Sequence, residues 1–162
     1  MSKKRTKNRH ILAALLCALL LLTGCAVEKQ QKQVEDFEAA VARTGYTLYE
    51  DNEDYEGKGF AVDKATVALS EDEENRVEFF QCRDEAAAQR LYESFGTDIE
   101  SACSLSEHSH QKEFTGDNYE CHGALCDETY YYRVRVGSTL LWATGSEAGR
   151  EEISKVVLAL GY

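Results

Sequence analysis

Thr129-Tyr130-Tyr131-Tyr132-Arg133-Val134-Arg135-Val136-Gly137-Ser138-Thr139-Leu140-Leu141-Trp142-Ala143-Thr144 is the stretch that decides the fold. Residues 129–136 alternate, with Tyr130, Tyr132, Val134 and Val136 on one side, and read as a strand rich in β-branched and aromatic side chains. Gly137-Ser138 suits a tight two-residue turn, because glycine tolerates the first central position of a type II′ turn. Residues 139–144 then return antiparallel.

A helix follows this hairpin, with Ser146 as a candidate cap and Ile153, Val156, Val157 and Leu160 as its apolar stripe. Upstream, residues 64–70 and 76–82 have strand character, joined across Glu71-Asp72-Glu73-Glu74-Asn75. Asp84 can cap a helix whose Ala88, Leu91 and Phe95 share one face before Gly96. A slide of 62 positions places Phe79 on Leu141, Phe80 on Trp142, Leu91 on Ile153 and Phe95 on Val157. Ahead of both units, Val34, Phe37 and Val41 recur at helical spacing, with Gly45 as a stop. Residues 97–117 are mostly polar and read as a loop, and residues 119–124 as a further strand. The expected fold class is therefore α+β: an antiparallel sheet of four to five strands from two ββα units, preceded by one helix, with helices mainly on one face.

The ending of the chain, with Tyr131-Tyr132, Arg135, Gly137-Ser138-Thr139, Leu140-Leu141 and Leu160-Gly161-Tyr162, resembles a group of small lipoproteins from Firmicutes. Many of those have asparagine where this chain has Ser138. The resemblance covers residues 34–162 and implies an α+β domain on the outer face of the cell membrane; it carries no catalytic residues.

The N-terminus points to the same compartment. Lys3, Lys4, Arg5, Lys7 and Arg9 form a basic region, and residues 11–22 form an uncharged apolar run. As a helix that run spans about 18 Å, short of the roughly 30 Å hydrocarbon core. Leu22-Thr23-Gly24-Cys25 at its end resembles the lipobox of bacterial lipoproteins, in which a peptidase cuts before the cysteine and lipid is attached to its sulfur. A diacylglyceryl cysteine, with palmitate-type chains, carries two anchors, which suffice for stable tethering. The expected organisation is a signal peptide over residues 1–24, lipidated Cys25 with a polar spacer over 25–33, and one extracytoplasmic domain over 34–162. The lipid bilayer is then one partner, through Cys25.

Cleavage before Cys25 removes five of 18 basic residues and none of 29 acidic ones, leaving a formal charge of 13 less 29, or −16. Such a surface repels nucleic acid, so no nucleic-acid partner is expected. Four cysteines remain beside the anchor, namely Cys82, Cys103, Cys121 and Cys126, and outside the cytoplasm an even count favours disulfides. On one extended strand Cys121 and Cys126 stand roughly 16 Å apart, beyond bonding reach. They pair directly only if the chain turns between them; otherwise each must find Cys82 or Cys103.

No serine elbow, phosphate loop or zinc-protease helix motif is present, so no catalytic residue, cofactor or enzymatic activity is expected. Cys103, His108, His110, Cys121, His122 and Cys126 form a Cys/His-rich stretch and supply the competing reading, a metal-binding lipoprotein. Their spacing matches no paired ligand motif, so no metal is assigned. The acidic run at Glu50-Asp51-Asn52-Glu53-Asp54 fails the EF-hand template, with Tyr55 at the glycine position and Ala61 at the glutamate position. The strands carry large apolar side chains on both faces. If helices cover one, the other bears Phe80, Tyr131, Arg133, Arg135 and Trp142, a candidate binding face for a protein or small-molecule ligand. The function expected from sequence is non-enzymatic binding or interaction.

Overall fold

The protein is described by a computed structural model over residues 28–50, 55 and 59–162. The leader, Cys25 and the acidic residues 51–54 lie outside these described residues. Among them, the elements run α1 (Val34–Val41), β1 (Thr47–Glu50), β2 (Val62–Leu69), β3 (Arg76–Cys82), α2 (Glu85–Ser104), β4 (Ser109–Thr115), β5 (Tyr119–Cys126), β6 (Thr129–Val136), β7 (Thr139–Ser146) and α3 (Arg150–Leu160). All seven strands join one antiparallel sheet in the order β1-β2-β3-β7-β6-β5-β4.

The hairpin read from sequence forms the sheet's centre. Val136 pairs with Thr139 across the turn, where Gly137 takes φ +58°, a value that side-chain-bearing residues rarely adopt. The register Val134↔Leu141 and Phe79↔Leu141 aligns three strands, so the alternation of each sorts its side chains onto two faces. Val77, Phe79, Val134, Val136, Leu141 and Ala143 point to a first face, where α1 and α3 add Phe37, Val41, Ile153, Val156 and Leu160. Phe37 stacks on Phe79 with ring centres 5.4 Å apart. Ala65, Phe80, Leu140 and Trp142 point to the second face, where α2 adds Ala88, Leu91, Tyr92, Phe95 and Ile99.

The class is α+β as expected, but three details differ. The sheet has seven strands rather than four to five. Helices also cover both faces instead of mainly one: α2 follows β3 onto the second face, whereas α3 follows β7 onto the first. The two ββα segments therefore do not repeat in space, and their 62-residue likeness is one of pattern.

The third difference lies in residues 97–117, read as loop. Helix α2 continues through Gly96 to Ser104, since Ile99 and Cys103 extend the buried stripe of Leu91 and Tyr92. Gly96 is not a stop but a close approach, because a Cβ there would sit on the Arg133 guanidinium. Strand β4 leaves no signal in the sequence, because it is an edge with every residue exposed and no apolar alternation marks it.

Candidate functional site

The five residues expected to form an open face do share one, but α2 covers it. Phe80 is fully buried and Trp142 is 7% exposed, with Phe95 of α2 stacked on the indole at 4.5 Å. Tyr131 lies beside it, half-buried, 6.0 Å between ring centres. Arg133 is spent inside the fold: Nη1 donates to the Tyr92 carbonyl, Nη2 to His122 Nδ1, and the guanidinium lies 4.0 Å over the Tyr92 ring. Arg135 donates from Nη2 to Glu120 Oε1 at 3.0 Å and from Nη1 to the Gly137 carbonyl. The strand parity was legible, but the expectation of openness is corrected.

His122 sits in the same buried layer, only 2% exposed. Arg133 donates to its Nδ1, so its proton resides on Nε2 and is donated to Gln111 Oε1 at 3.1 Å. Burial first, and then the Arg133 charge, hold the imidazole below its ordinary value of 6.5, against the opposing pull of Glu113. The unfolded chain binds a proton that the folded one refuses, so stability falls as pH drops below about 6.5. Urea titrations from pH 7.5 to 5 should show this slope, at most about 1.4 kcal/mol per pH unit, and His122→Gln should reduce it. An unchanged slope in that variant would assign the loss to other groups.

The Cys/His stretch divides rather than converges. Strand β5 directs Cys121 to the first face and His122 and Cys126 to the second, where Cys126 is bonded to Cys103 of α2 with Cα atoms 5.0 Å apart. Among the described residues no group of three His, Cys, Asp or Glu side chains is placed to hold a metal ion. The expectation that all four cysteines are bridged is likewise corrected. Cys82 is a buried free thiol and Cys121 a half-buried one, on opposite faces. Burial and the nearby Asp63 push Cys82 up to about 11.

The first face offers what the second does not. Seven strands at about 4.8 Å spacing extend roughly 29 Å across, while two helices side by side cover about 20 Å. Helices α1 and α3 pack over the β1 side and centre, leaving the β4–β5–β6 side of that face as a cleft of about 500 Å³. Phe114, Cys121, Gly123, Leu125 and Tyr132 form its floor, and Tyr130 and Arg150 line the side next to α3. A Cβ on Gly123 would meet Tyr132 only at 3.6 Å, so the glycine leaves a dip rather than a tight contact. Phe114 is 51% exposed, which is unusual for a large apolar side chain directed onto a sheet face.

The cleft's charge is opposite to that of the chain. The Arg150 guanidinium lies 5.3 Å from the centre of the Tyr130 ring and Lys112 Nζ 4.8 Å from that of Phe114. Among the described residues neither has a carboxylate within ion-pair distance, although the chain holds 29 acidic side chains. Burial raises the Cys121 thiol, and burial together with that thiol raises the Tyr132 phenol, so both stay protonated. An apolar floor with two cations at its margin matches the chemistry of an anionic, partly apolar molecule; a neutral thiol is a poor nucleophile there.

The alternation of Tyr130 and Tyr132 in the sequence marked this face but assigned it to helix packing. With β4 unread, the sheet looked narrow enough for its helices to cover.

No protein-family model and no curated protein matches the chain. Among solved structures it is similar to a GTP-binding regulator from Thermotoga maritima, at 11% identity and a TM-score of 0.46, covering 82% of this chain and 90% of that one. It is similar also to a Mycobacterium tuberculosis protein assigned as the lipoprotein LppA, at 12% identity, TM-score 0.32, covering 69% and 70%. The extracellular domain of PknH from the same organism follows at 9% identity, TM-score 0.29, covering 76% and 69%. At 9–12% identity and TM-scores below 0.5, these likenesses transfer no activity or ligand to the present chain.

Proposed function

We propose that this is a lipoprotein held on the extracytoplasmic face of the cell membrane through diacylglyceryl Cys25, with a non-enzymatic binding role. Its ligand is a small molecule with an apolar body and an anionic group, seated in the β4–β5–β6 cleft. The observation that carries this reading is the pair of cations, Arg150 and Lys112, without carboxylate partners among the described residues, beside an exposed aromatic floor in an otherwise acidic protein. Membrane attachment rests on the lipobox-like Leu22-Thr23-Gly24-Cys25. Among the described residues no helix is long and apolar enough to cross a bilayer.

An anilinonaphthalene sulfonate tests the cleft, since it joins an aromatic body to a fixed negative charge. The wild-type domain should bind one equivalent saturably. Arg150→Ala should weaken binding about tenfold, equivalent to about 1.4 kcal/mol, the low end for a hydrogen bond to a charged group. Gly123→Leu should abolish it, because the added side chain occupies the cleft floor while its first carbon fits. Circular dichroism should show both variants folded. Unchanged affinity in both would overturn the proposal.

A further inference from the structure

Residues 28–33, read from sequence as spacer, do not lead away from the domain. The Lys29 amide donates to Asn118 Oδ1 at 3.0 Å, and Asn118 Nδ2 donates back to the Lys29 carbonyl at 2.7 Å. Gln31 clasps the central hairpin turn, donating from Nε2 to Ser138 Oγ and accepting from the Ser138 amide. The Lys32 amide donates to the Tyr162 hydroxyl, which shares a hydrogen bond with Thr139. Lys29 Nζ lies 5.2 Å from the centre of the Tyr119 ring. Gln33 then opens α1, its amide donating to Asp36 Oδ2. The segment is a strap fastened across one end of the sheet, where the β4–β5 turn, the β6–β7 turn and the C-terminal residue meet.

We infer that this strapped end is the surface the domain turns toward lipid headgroups. The inference rests on the reading of Cys25 as the lipidated anchor. Four residue steps separate Cys25 from Lys29, and each covers at most about 3.6 Å, so the acylated residue lies within about 14 Å of the strap. A tether so short cannot let the domain turn over.

The test uses the full chain, processed in a lipoprotein-competent bacterium. It is reconstituted into phosphatidylcholine vesicles containing phosphatidylglycerol and a headgroup-attached quencher. Cys121→Ser removes the accessible thiol, and Cys82 is buried. A fluorophore is then placed on Asp117→Cys or on Glu71→Cys, both exposed and at opposite ends. An eight-residue strand such as β7 separates the ends by roughly 26 Å. The Asp117 probe should lose most of its emission and the Glu71 probe little. An insertion of about a dozen Gly and Ser residues after Val27 should erase the difference, because a flexible linker frees the orientation. Equal quenching in the uninserted chain, or stronger quenching at Glu71, overturns the inference. A difference that survives the insertion refutes the strap as its cause. A chain that fails to float with vesicles refutes the anchor reading itself, and this surface with it.

Discussion

Replacing Trp142 with alanine should lower the stability of the domain by about 3–5 kcal/mol, the cost of removing a large aromatic side chain from a packed interior. The indole is sandwiched between Phe95 and the sheet and touches the Tyr131 ring, so the cavity left behind is bounded by rigid partners. Trp142 is the chain's single tryptophan, so its fluorescence reports this site alone. In the native state, emission should resist quenching by acrylamide and become quenchable on unfolding. Ready quenching of the folded protein, with a truncation cost below about 1 kcal/mol, would mean that α2 does not cover this face.

The second large effect concerns the Cys103–Cys126 bridge, which fastens the end of α2 to the end of β5 across 23 residues of sequence. Loop-closure entropy for a ring of that size is worth about 3 kcal/mol. Cys103→Ala together with Cys126→Ala should lower stability by about that amount and loosen α2 over Trp142. Alkylation of the oxidised domain beginning at residue 26 should label Cys121 in the native state and Cys82 only after unfolding, with four cysteines labelled after reduction. Four labels without reductant would refute the bridge. No label after unfolding would place Cys82 and Cys121 in a second one, which their positions on opposite faces exclude.

What could be read from sequence depended on burial. The central hairpin and β3 announce themselves as runs of β-branched and aromatic side chains that alternate between two covered faces, and α1 and α3 by apolar stripes of period 3.6. The parity that groups Phe80 with Trp142, and Phe79 with Leu141, was legible for the same reason. Strand β4 has no buried residue and therefore no period. The second half of α2 was hidden by Gly96, which serves Arg133 and not helix termination.

Those two omissions misplaced the candidate site. A narrower sheet with a shorter second helix leaves the Trp142 face open, whereas the observed α2 closes it and the added β4 widens the other face beyond its helices. The disulfide was legible only in part. Placing Cys121 and Cys126 on one strand excludes their direct pairing, but choosing Cys103 over Cys82 as partner requires knowing that α2 ends over β5. No residue pattern signalled the strap, because Gln31, Asn118 and Ser138 are polar side chains distant in sequence that meet only at the sheet's end.

The most direct measurement of the central claim is a map of amide shifts during titration of the isotope-labelled domain with an anilinonaphthalene sulfonate. Binding in the cleft predicts saturating changes at Lys112, Phe114, Cys121, Gly123, Tyr132 and Arg150, with Phe80, Arg133 and Trp142 unmoved. Changes centred on the α2 face, or small linear drifts across the whole surface, would contradict a ligand site on β4–β5–β6.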